Sequence, residues 1–74
     1  MKTSKENIYR RLAKKAYRRS QSTIQFWMNF NRILDVEIYN ASYKTAFDPT
    51  NENISERNIL FELKTIAVIQ MGRK

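Results

Sequence analysis

The strongest evidence on the fold is the sequence of residues 22–47, STIQFWMNFNRILDVEIYNASYKTAF. It contains neither Gly nor Pro, so nothing in it interrupts a helix. Its apolar side chains recur at three- and four-residue spacings, which places them on one helical face about 140° wide. These residues are Phe26, Trp27, Phe30, Ile33, Leu34, Ile38 and Ala41. The stretch therefore predicts a long helix with one face in the core.

A β-hairpin is the alternative for residues 24–39. Apolar and polar residues alternate over 24–30 and again over 34–38, as they would in two half-buried strands. The turn between them would be Asn31-Arg32, which lacks the Asn-Gly or Asp-Gly pair typical of tight hairpins. We therefore favour the helix and keep the hairpin open.

Two further helices are predicted on either side of the long one. Thr3 and Glu6 have the spacing of a capping box, so a first helix begins at Thr3 or Ser4 and spans about 4–19. The long helix ends before the loop Asp48-Pro49-Thr50-Asn51, because a residue that precedes Pro avoids the helical region.

The third helix is predicted over 54–71, with a capping-box start at Asn53 and Glu56 and with Gly72 as its C′ residue. Its expected buried positions are Ile59, Leu60, Leu63, Ile66 and Ala67. One Gly and one Pro in 74 residues also favour long helices. We predict an all-α fold, a three-helix bundle-like single small domain over residues 1–74 with a basic N-terminal helix.

The net charge of +7 belongs entirely to residues 1–19. Residues 1–19 hold eight of the fourteen Lys and Arg against one acid, whereas residues 20–74 hold six basic and six acidic residues. On a helix, the rows 10-14-18 and 11-15-19 share one half of the surface. The predicted nucleic-acid-binding residues are Arg10, Arg11, Lys14, Lys15, Arg18 and Arg19, with Tyr9, Tyr17 and Arg32 at the edge. Such a cationic stripe is expected to bind a polyanion through phosphate contacts.

The opposite half of the first helix indicates packing on protein. Ile8, Leu12 and Ala16 form one apolar row, and Tyr9, Ala13 and Tyr17 form the next. A helix that lies on a membrane needs bulkier apolar residues, so a membrane partner is not expected. Phe26, Trp27 and Phe30 could stack on bases, but their spacing favours the core.

Catalysis and metal binding are not expected. The chain has no His and no Cys, which removes imidazole acid–base chemistry, thiol nucleophiles and thiolate ligands. Asp35 and Glu37 are two residues apart, so on a helix they diverge by about 200°. We therefore predict no catalytic residue, no metal and no cofactor. No segment is apolar enough to predict a transmembrane helix or a secretion signal, so an intracellular location, cytoplasmic or in an organelle matrix, is expected.

Three resemblances bear on function. The segment Leu12-Ala13-Lys14-Lys15-Ala16, followed by residues 20–24 and Trp27, resembles a helix-turn-helix motif. That resemblance implies duplex DNA as the target, with Gln21, Ser22 and Gln25 facing bases. The tripeptide Ile8-Tyr9-Arg10 resembles the LYR-motif family, whose members bind acyl carrier protein and assist the assembly of respiratory and iron–sulfur enzymes.

The third resemblance covers more of the chain. Ala16-Tyr17-Arg18, Phe26-Trp27, Arg32-Ile33, Ser42-Tyr43 and Arg57-Asn58-Ile59-Leu60 are similar to segments of the bacterial-type large-subunit ribosomal protein L-twenty family. Members of that family are helical, bind large-subunit ribosomal RNA and act early in subunit assembly. The chain differs from the family in the longer spacing between Trp27 and Arg32. It also differs at residues 48–53, which replace a helical stretch.

These observations predict a non-catalytic nucleic-acid-binding protein, with RNA favoured over DNA because of the ribosomal resemblance. The alternatives are a helical assembly factor whose basic helix docks on an acidic protein, and a DNA-binding regulator of the helix-turn-helix type. The oligomeric state does not follow from these patterns.

Overall fold

A computed structural model describes residues 4–72 as three α-helices joined by short turns. Helix α1 spans Lys5–Arg18, α2 spans Thr23–Phe47 and α3 spans Asn51–Gly72. The all-α prediction is confirmed, and the two predicted inter-helix turns lie within a few residues of their observed positions. The hairpin alternative is wrong, because α2 runs without interruption through residues 24–39.

Helix α1 begins at Lys5, one residue after the second of the two predicted positions. Ser4 is its N-cap, and the Ser4 hydroxyl accepts a hydrogen bond from the Asn7 backbone N–H at 3.1 Å. Glu6 stands in the first turn and pairs with Arg10 one turn later. The predicted partner of Glu6 in a capping box, Thr3, lies outside the described residues.

The start of α3 differs from the prediction by three residues. Thr50 is the capping residue, since its hydroxyl accepts from the Asn53 backbone N–H at 3.1 Å. Asn53 lies inside the helix and is buried, and its side-chain amide donates to the Asp48 carbonyl at 2.7 Å. The predicted capping role of Asn53 is therefore wrong, because Thr50 satisfies the first turn and leaves Asn53 to join α3 to the preceding loop. Gly72 remains helical and has no positive φ, so it is not a left-handed C′ residue.

Nine apolar residues form the buried core, and each helix contributes three. They are Ile8, Leu12 and Ala16, then Phe30, Leu34 and Ala41, then Leu60, Leu63 and Ala67. Phe26, Trp27, Ile33, Ile38 and Ile59 are half-buried against this core, in agreement with the predicted faces. The sequence predicts a buried Ile66, but this residue is 38% exposed. In this part of α3, Leu63 and Ala67 form the buried face, and Ile66 lies outside it.

Helices α2 and α3 form a long antiparallel hairpin on which the shorter α1 packs. The hairpin is joined near its closed end by Thr45, whose hydroxyl lies 3.3 Å from the Asn53 carbonyl. It is joined midway by an ion pair of 2.8 Å between Asp35 and Lys64. The whole body measures 38 × 22 × 15 Å, so the bundle is elongated and thin.

The Thr50 cap makes a stability prediction. Thr50→Ala removes the acceptor for an orphan N–H of the first turn, and we expect a loss of about 1 kcal/mol in the free energy of unfolding. Thr65→Ala is the matched control, because Thr65 is exposed and its hydroxyl donates to the Phe61 carbonyl of its own helix, which needs no cap. Urea titrations followed by circular dichroism compare the two. An equal loss in both variants would contradict the capping role.

Candidate nucleic-acid interface

The six predicted cations of the stripe are all exposed, but they fall into two groups. Arg10 pairs with Glu6 on the same helix, and Arg11 pairs with Glu37 of α2 at 3.1 Å. The other four make no side-chain hydrogen bond or ion pair within residues 4–72: Lys14, Lys15, Arg18 and Arg19. The free positive charge therefore concentrates in the second half of α1 and just beyond it.

The pair between Arg11 and Glu37 does not follow from the sequence pattern. The carboxylate comes from a residue 26 positions later along the chain, and its side chain is only 22% exposed. It lies against α1 only because α1 packs on α2. The repulsion between like charges along the predicted row is therefore reduced at its N-terminal end by two acids, Glu6 of α1 and Glu37 of α2.

An open groove of about 830 Å³ runs beside these cations. Its lining combines charged and aromatic side chains from α1 with one ring from α2: Tyr9, Arg10, Arg11, Ala13, Lys14, Lys15, Tyr17, Arg18 and Phe26. We call this depression the α1 groove. Eight of the nine lining residues come from α1, so the helix supplies both the cations and most of the groove wall.

The aromatic residues of the groove are held to different degrees. The rings of Tyr9 and Phe30 pack edge to face with their centroids 5.5 Å apart. The rings of Phe26 and Phe30 stack with their centroids 5.7 Å apart and an angle of 10° between their planes. Tyr17 is 75% exposed, more than any other large apolar or aromatic side chain among residues 4–72. Tyr9 and Phe26 are therefore fixed by the core, and Tyr17 is a free ring next to the unpaired cations.

The turn after α1 fixes the position of the last two cations. The Ser20 hydroxyl donates to the Ala16 carbonyl at 2.6 Å, which closes the final turn of the helix. The Asn29 amide donates to the Arg19 carbonyl at 3.3 Å and to the Ser20 hydroxyl at 3.1 Å. These bonds attach the end of α1 to α2, so Arg18 and Arg19 project from a supported backbone.

A second depression of about 510 Å³ continues from Tyr17 and Phe26 to the turn between α1 and α2. It adds the polar groups of Ser20, Gln21, Ser22 and Thr23, and also Trp27. The Ser22 hydroxyl caps α2 by accepting from the Gln25 N–H, and the Gln25 side chain accepts from the Gln21 N–H. Two of the side chains that the helix-turn-helix resemblance places on bases, Ser22 and Gln25, are therefore bonded to the backbone of this turn.

Two predicted features of the site are placed elsewhere. Arg32 is exposed on α2 but does not line the α1 groove, so the structure does not bring it together with the stripe. Phe30 is fully buried and cannot reach a base, in agreement with the core interpretation. Phe26 and Trp27 are half-buried members of the same aromatic cluster.

Three observations concern other kinds of site. Asp35 and Glu37 point to different partners, Lys64 and Arg11, as expected for carboxylates two residues apart on a helix. Over residues 4–72, no three acidic side chains converge in a way that could hold a metal ion. In the same part of the chain, no helix is long and apolar enough to cross a membrane.

Comparison with known proteins adds no family. None of the protein-family models, curated proteins or solved structures that were compared matches the chain. The resemblances to the ribosomal, LYR-motif and helix-turn-helix families therefore stay predictions.

Proposed function

We propose that the protein binds RNA without catalysis, through the α1 groove and the unpaired cations beside it. The observation that supports this most is the combination of three unpaired cations with an exposed tyrosine along one open groove. Lys14, Lys15, Arg18 and Tyr17 line the groove, whereas the fourth unpaired cation, Arg19, lines a separate depression beside Gln21 and Gln25. Such a surface offers phosphates a row of positive charge and offers a base an aromatic ring.

Unpaired RNA fits this groove better than a duplex does. Helix α1 is 14 residues long, or about 21 Å, and its cations lie beside rings rather than on an uninterrupted polar face. Bases that are splayed out of a loop stack on aromatic side chains, and each stacked base contributes about 1–3 kcal/mol. Loops and single strands of RNA are therefore the preferred target.

The electrostatic part of binding has an expected size. Each phosphate contact with a single strand contributes about 0.7 to the slope of log affinity against log salt. Four unpaired cations therefore predict a slope of about −3. Arg10 and Arg11 are expected to add less, because binding a phosphate would compete with Glu6 and Glu37.

An acidic protein partner is the alternative from another class. The same groove has apolar walls at Tyr9, Ala13 and Phe26 with cations around them, which also suits an acidic amphipathic helix. Salt would weaken that complex too, so salt dependence alone does not separate the two. Competition between polymers does, because only nucleic acid offers bases for Tyr17.

The deciding experiment measures binding of polyuridylate, a random RNA duplex, a DNA duplex and polyglutamate at two salt concentrations. We expect the order of affinity to be polyuridylate first, the duplexes next and polyglutamate last. Negligible binding of every nucleic acid at low salt would contradict the proposal. Polyglutamate binding at least as tight as polyuridylate would favour the acidic partner, and a preference for duplex DNA would favour the helix-turn-helix alternative.

Matched charge reversals test the position of the site. Lys14→Glu and Lys44→Glu change the net charge equally, but Lys44 is exposed in the last turn of α2, away from the groove. We expect Lys14→Glu to reduce polyuridylate affinity about tenfold and to make the salt slope shallower by about 0.7. The Lys44 variant should lose less than about threefold. Equal losses would indicate attraction by net charge alone and would remove the groove from the proposal.

A further inference from the structure

The depressions around the end of α1 are linked to one another by shared residues. The α1 groove and the second depression have Tyr17 and Phe26 in common. The second depression shares Gln21 with a third one of about 380 Å³, which Arg19 also lines. We call the second the turn depression and the third the Arg19 depression. The three therefore adjoin in that order and form one path from α1 across the turn.

The chemical character of this path changes at the turn. Cations line the α1 groove before the turn, and Arg19 lines the depression after it. Among the described residues, none that lines the turn depression is charged, and none that lines any of the three depressions is acidic. A single strand of RNA has a matching alternation, because anionic phosphates flank each neutral base. The turn depression is therefore the place on the path that suits a base.

Aromatic rings form the apolar part of the turn depression. Tyr17 is 75% exposed, and within residues 4–72 its ring packs on no other aromatic ring. Trp27 is half-buried, and the core holds it edge to face against Phe26 with the ring centroids 4.9 Å apart. The volume of about 510 Å³ lies within the range of small-ligand pockets, about 300–1,000 Å³. A planar base that enters this depression meets one free ring and one fixed ring.

The polar side chains of the turn depression differ in whether they are already bonded. The hydroxyls of Ser20 and Ser22 are engaged in closing α1 and in capping α2. The Gln21 backbone N–H donates to the Gln25 side chain at 2.8 Å, but the Gln21 side-chain amide makes no hydrogen bond within residues 4–72. The Thr23 hydroxyl makes none there either. Of these two free groups, only the Gln21 amide offers a donor and an acceptor side by side.

This free amide distinguishes among the bases. A Gln amide pairs with adenine through two hydrogen bonds, because adenine presents a donor beside an acceptor. The corresponding edge of guanine presents two acceptors, which suit Arg or Lys, and the turn depression is lined by neither. Uracil and cytosine have a single ring and offer less surface to stack on Tyr17 and Trp27. Adenine therefore matches both the amide and the rings.

We propose that the turn depression binds one adenine of the RNA whose phosphates bind the α1 groove, and that Gln21 determines this specificity. The adenine stacks on Tyr17 and Trp27, and the phosphates on its two sides contact Arg18 and Arg19. Arg18 ends α1 and Arg19 follows as its cap, so these two cations line depressions on either side of the turn depression. The inference rests on the proposed RNA binding and adds a base preference to it.

Short uridylate oligonucleotides with one central adenine, guanine or cytosine test this preference, together with the all-uridine oligonucleotide. We expect the full chain to bind the adenine oligonucleotide at least about fivefold more tightly than each of the other three. Gln21→Ala should remove the preference and leave the affinity for the all-uridine oligonucleotide within about twofold, because the cations are unchanged. Asn58→Ala is the matched control, since it removes an exposed amide from α3, and it should keep the preference. Circular dichroism verifies that both variants keep their helices.

A change of specificity tests the role of Gln21 more strictly than a loss does. Gln21→Arg should reverse the preference from adenine to guanine, because a guanidinium donates two hydrogen bonds to the two guanine acceptors. The ratio of the two affinities is not affected by the added charge, since both oligonucleotides carry the same number of phosphates. The emission of Trp27, the single tryptophan of the chain, reports the position of the base. We expect the adenine oligonucleotide to change this emission more than the all-uridine one does.

The outcomes separate this inference from the proposed RNA binding. Equal affinities for the four oligonucleotides, or an adenine preference that Gln21→Ala leaves intact, would overturn the inference and leave the RNA binding in place. Binding of the adenine oligonucleotide without any change in Trp27 emission would also overturn it. Negligible binding of all four oligonucleotides at low salt would contradict the RNA binding itself, and the inference with it.

Discussion

Reversing two adjacent charges on α1, Lys14→Glu together with Arg18→Glu, is expected to lower the affinity for polyuridylate at least about a hundredfold at low salt. Both side chains line the α1 groove one turn apart, and neither has an ion-pair partner within the described residues. The variant removes two phosphate contacts and adds two repulsive charges at the same place. A hundredfold loss corresponds to about 2.7 kcal/mol. Fluorescence anisotropy with labelled polyuridylate measures it.

The double reversal should leave the fold intact. Lys14 and Arg18 are exposed and contribute nothing to the buried core, so their replacement by Glu removes like-charge repulsion along α1. Arg18 lies in the last turn, where an acid meets the negative end of the helix dipole, so the two effects offset each other and we expect unchanged helicity and a nearly unchanged melting temperature. Retained affinity with native helicity would show that the cations of α1 do not bind the RNA.

Arg11 is not the residue to test first, although the sequence alone suggests it as strongly as any other. Its guanidinium is bonded to Glu37, so Arg11→Glu would place two carboxylates together at the contact between α1 and α2. A loss of RNA affinity in that variant could follow from displacement of α1. Lys14 and Arg18 avoid this, because their removal breaks no contact that holds α1 in place.

The largest stability effect is expected for Phe30→Ala. Phe30 is fully buried, and the ring centroids of Tyr9, Phe26 and Trp27 all lie 5.5–5.7 Å from its own. Truncation to Ala removes the centre of this cluster and leaves a cavity, at a cost of about 3–5 kcal/mol. A 74-residue domain has a free energy of unfolding of only about 5 kcal/mol. The variant should therefore be largely unfolded at about 37 °C.

Urea titration and thermal melting followed by circular dichroism measure that effect. Phe61→Ala is the matched control, because Phe61 lies exposed on α3 and is not part of the core. We expect the control to lose about 1 kcal/mol or less. A similar loss for the two phenylalanines would contradict the central position of Phe30.

Much of the fold can be predicted because helical periodicity is a local property. Phe30, Leu34 and Ala41 recur at spacings that only a helix turns into one face, and the structure buries all three. Capping is less predictable, because Thr50, Asn51 and Asn53 are all acceptable caps by residue type. The choice among them depends on burial, since the Asn53 amide bonds to the Asp48 carbonyl once α3 folds back on α2.

The composition of the candidate site can be predicted, but its detail cannot. Helical spacing alone places the six cations of the predicted stripe on one half of the helical surface, because that placement depends only on 3.6 residues per turn. Which cations are free is a different question. Because α2 lies against α1, Glu37 pairs with Arg11 and Phe26 lines the groove. The same packing leaves Arg32 outside the groove.

Periodicity and composition are enough to predict three amphipathic helices and a net positive charge carried by residues 1–19, since neither needs a packing partner to be recognised. The packing of the helices sets which stripe cations stay unpaired, where the groove runs and which apolar side chains no helix covers. These depend on contacts between residues far apart in the chain, such as Arg11 with Glu37 and Tyr9 with Phe30. The stripe is a property of one helix, and the site is a property of how two helices pack.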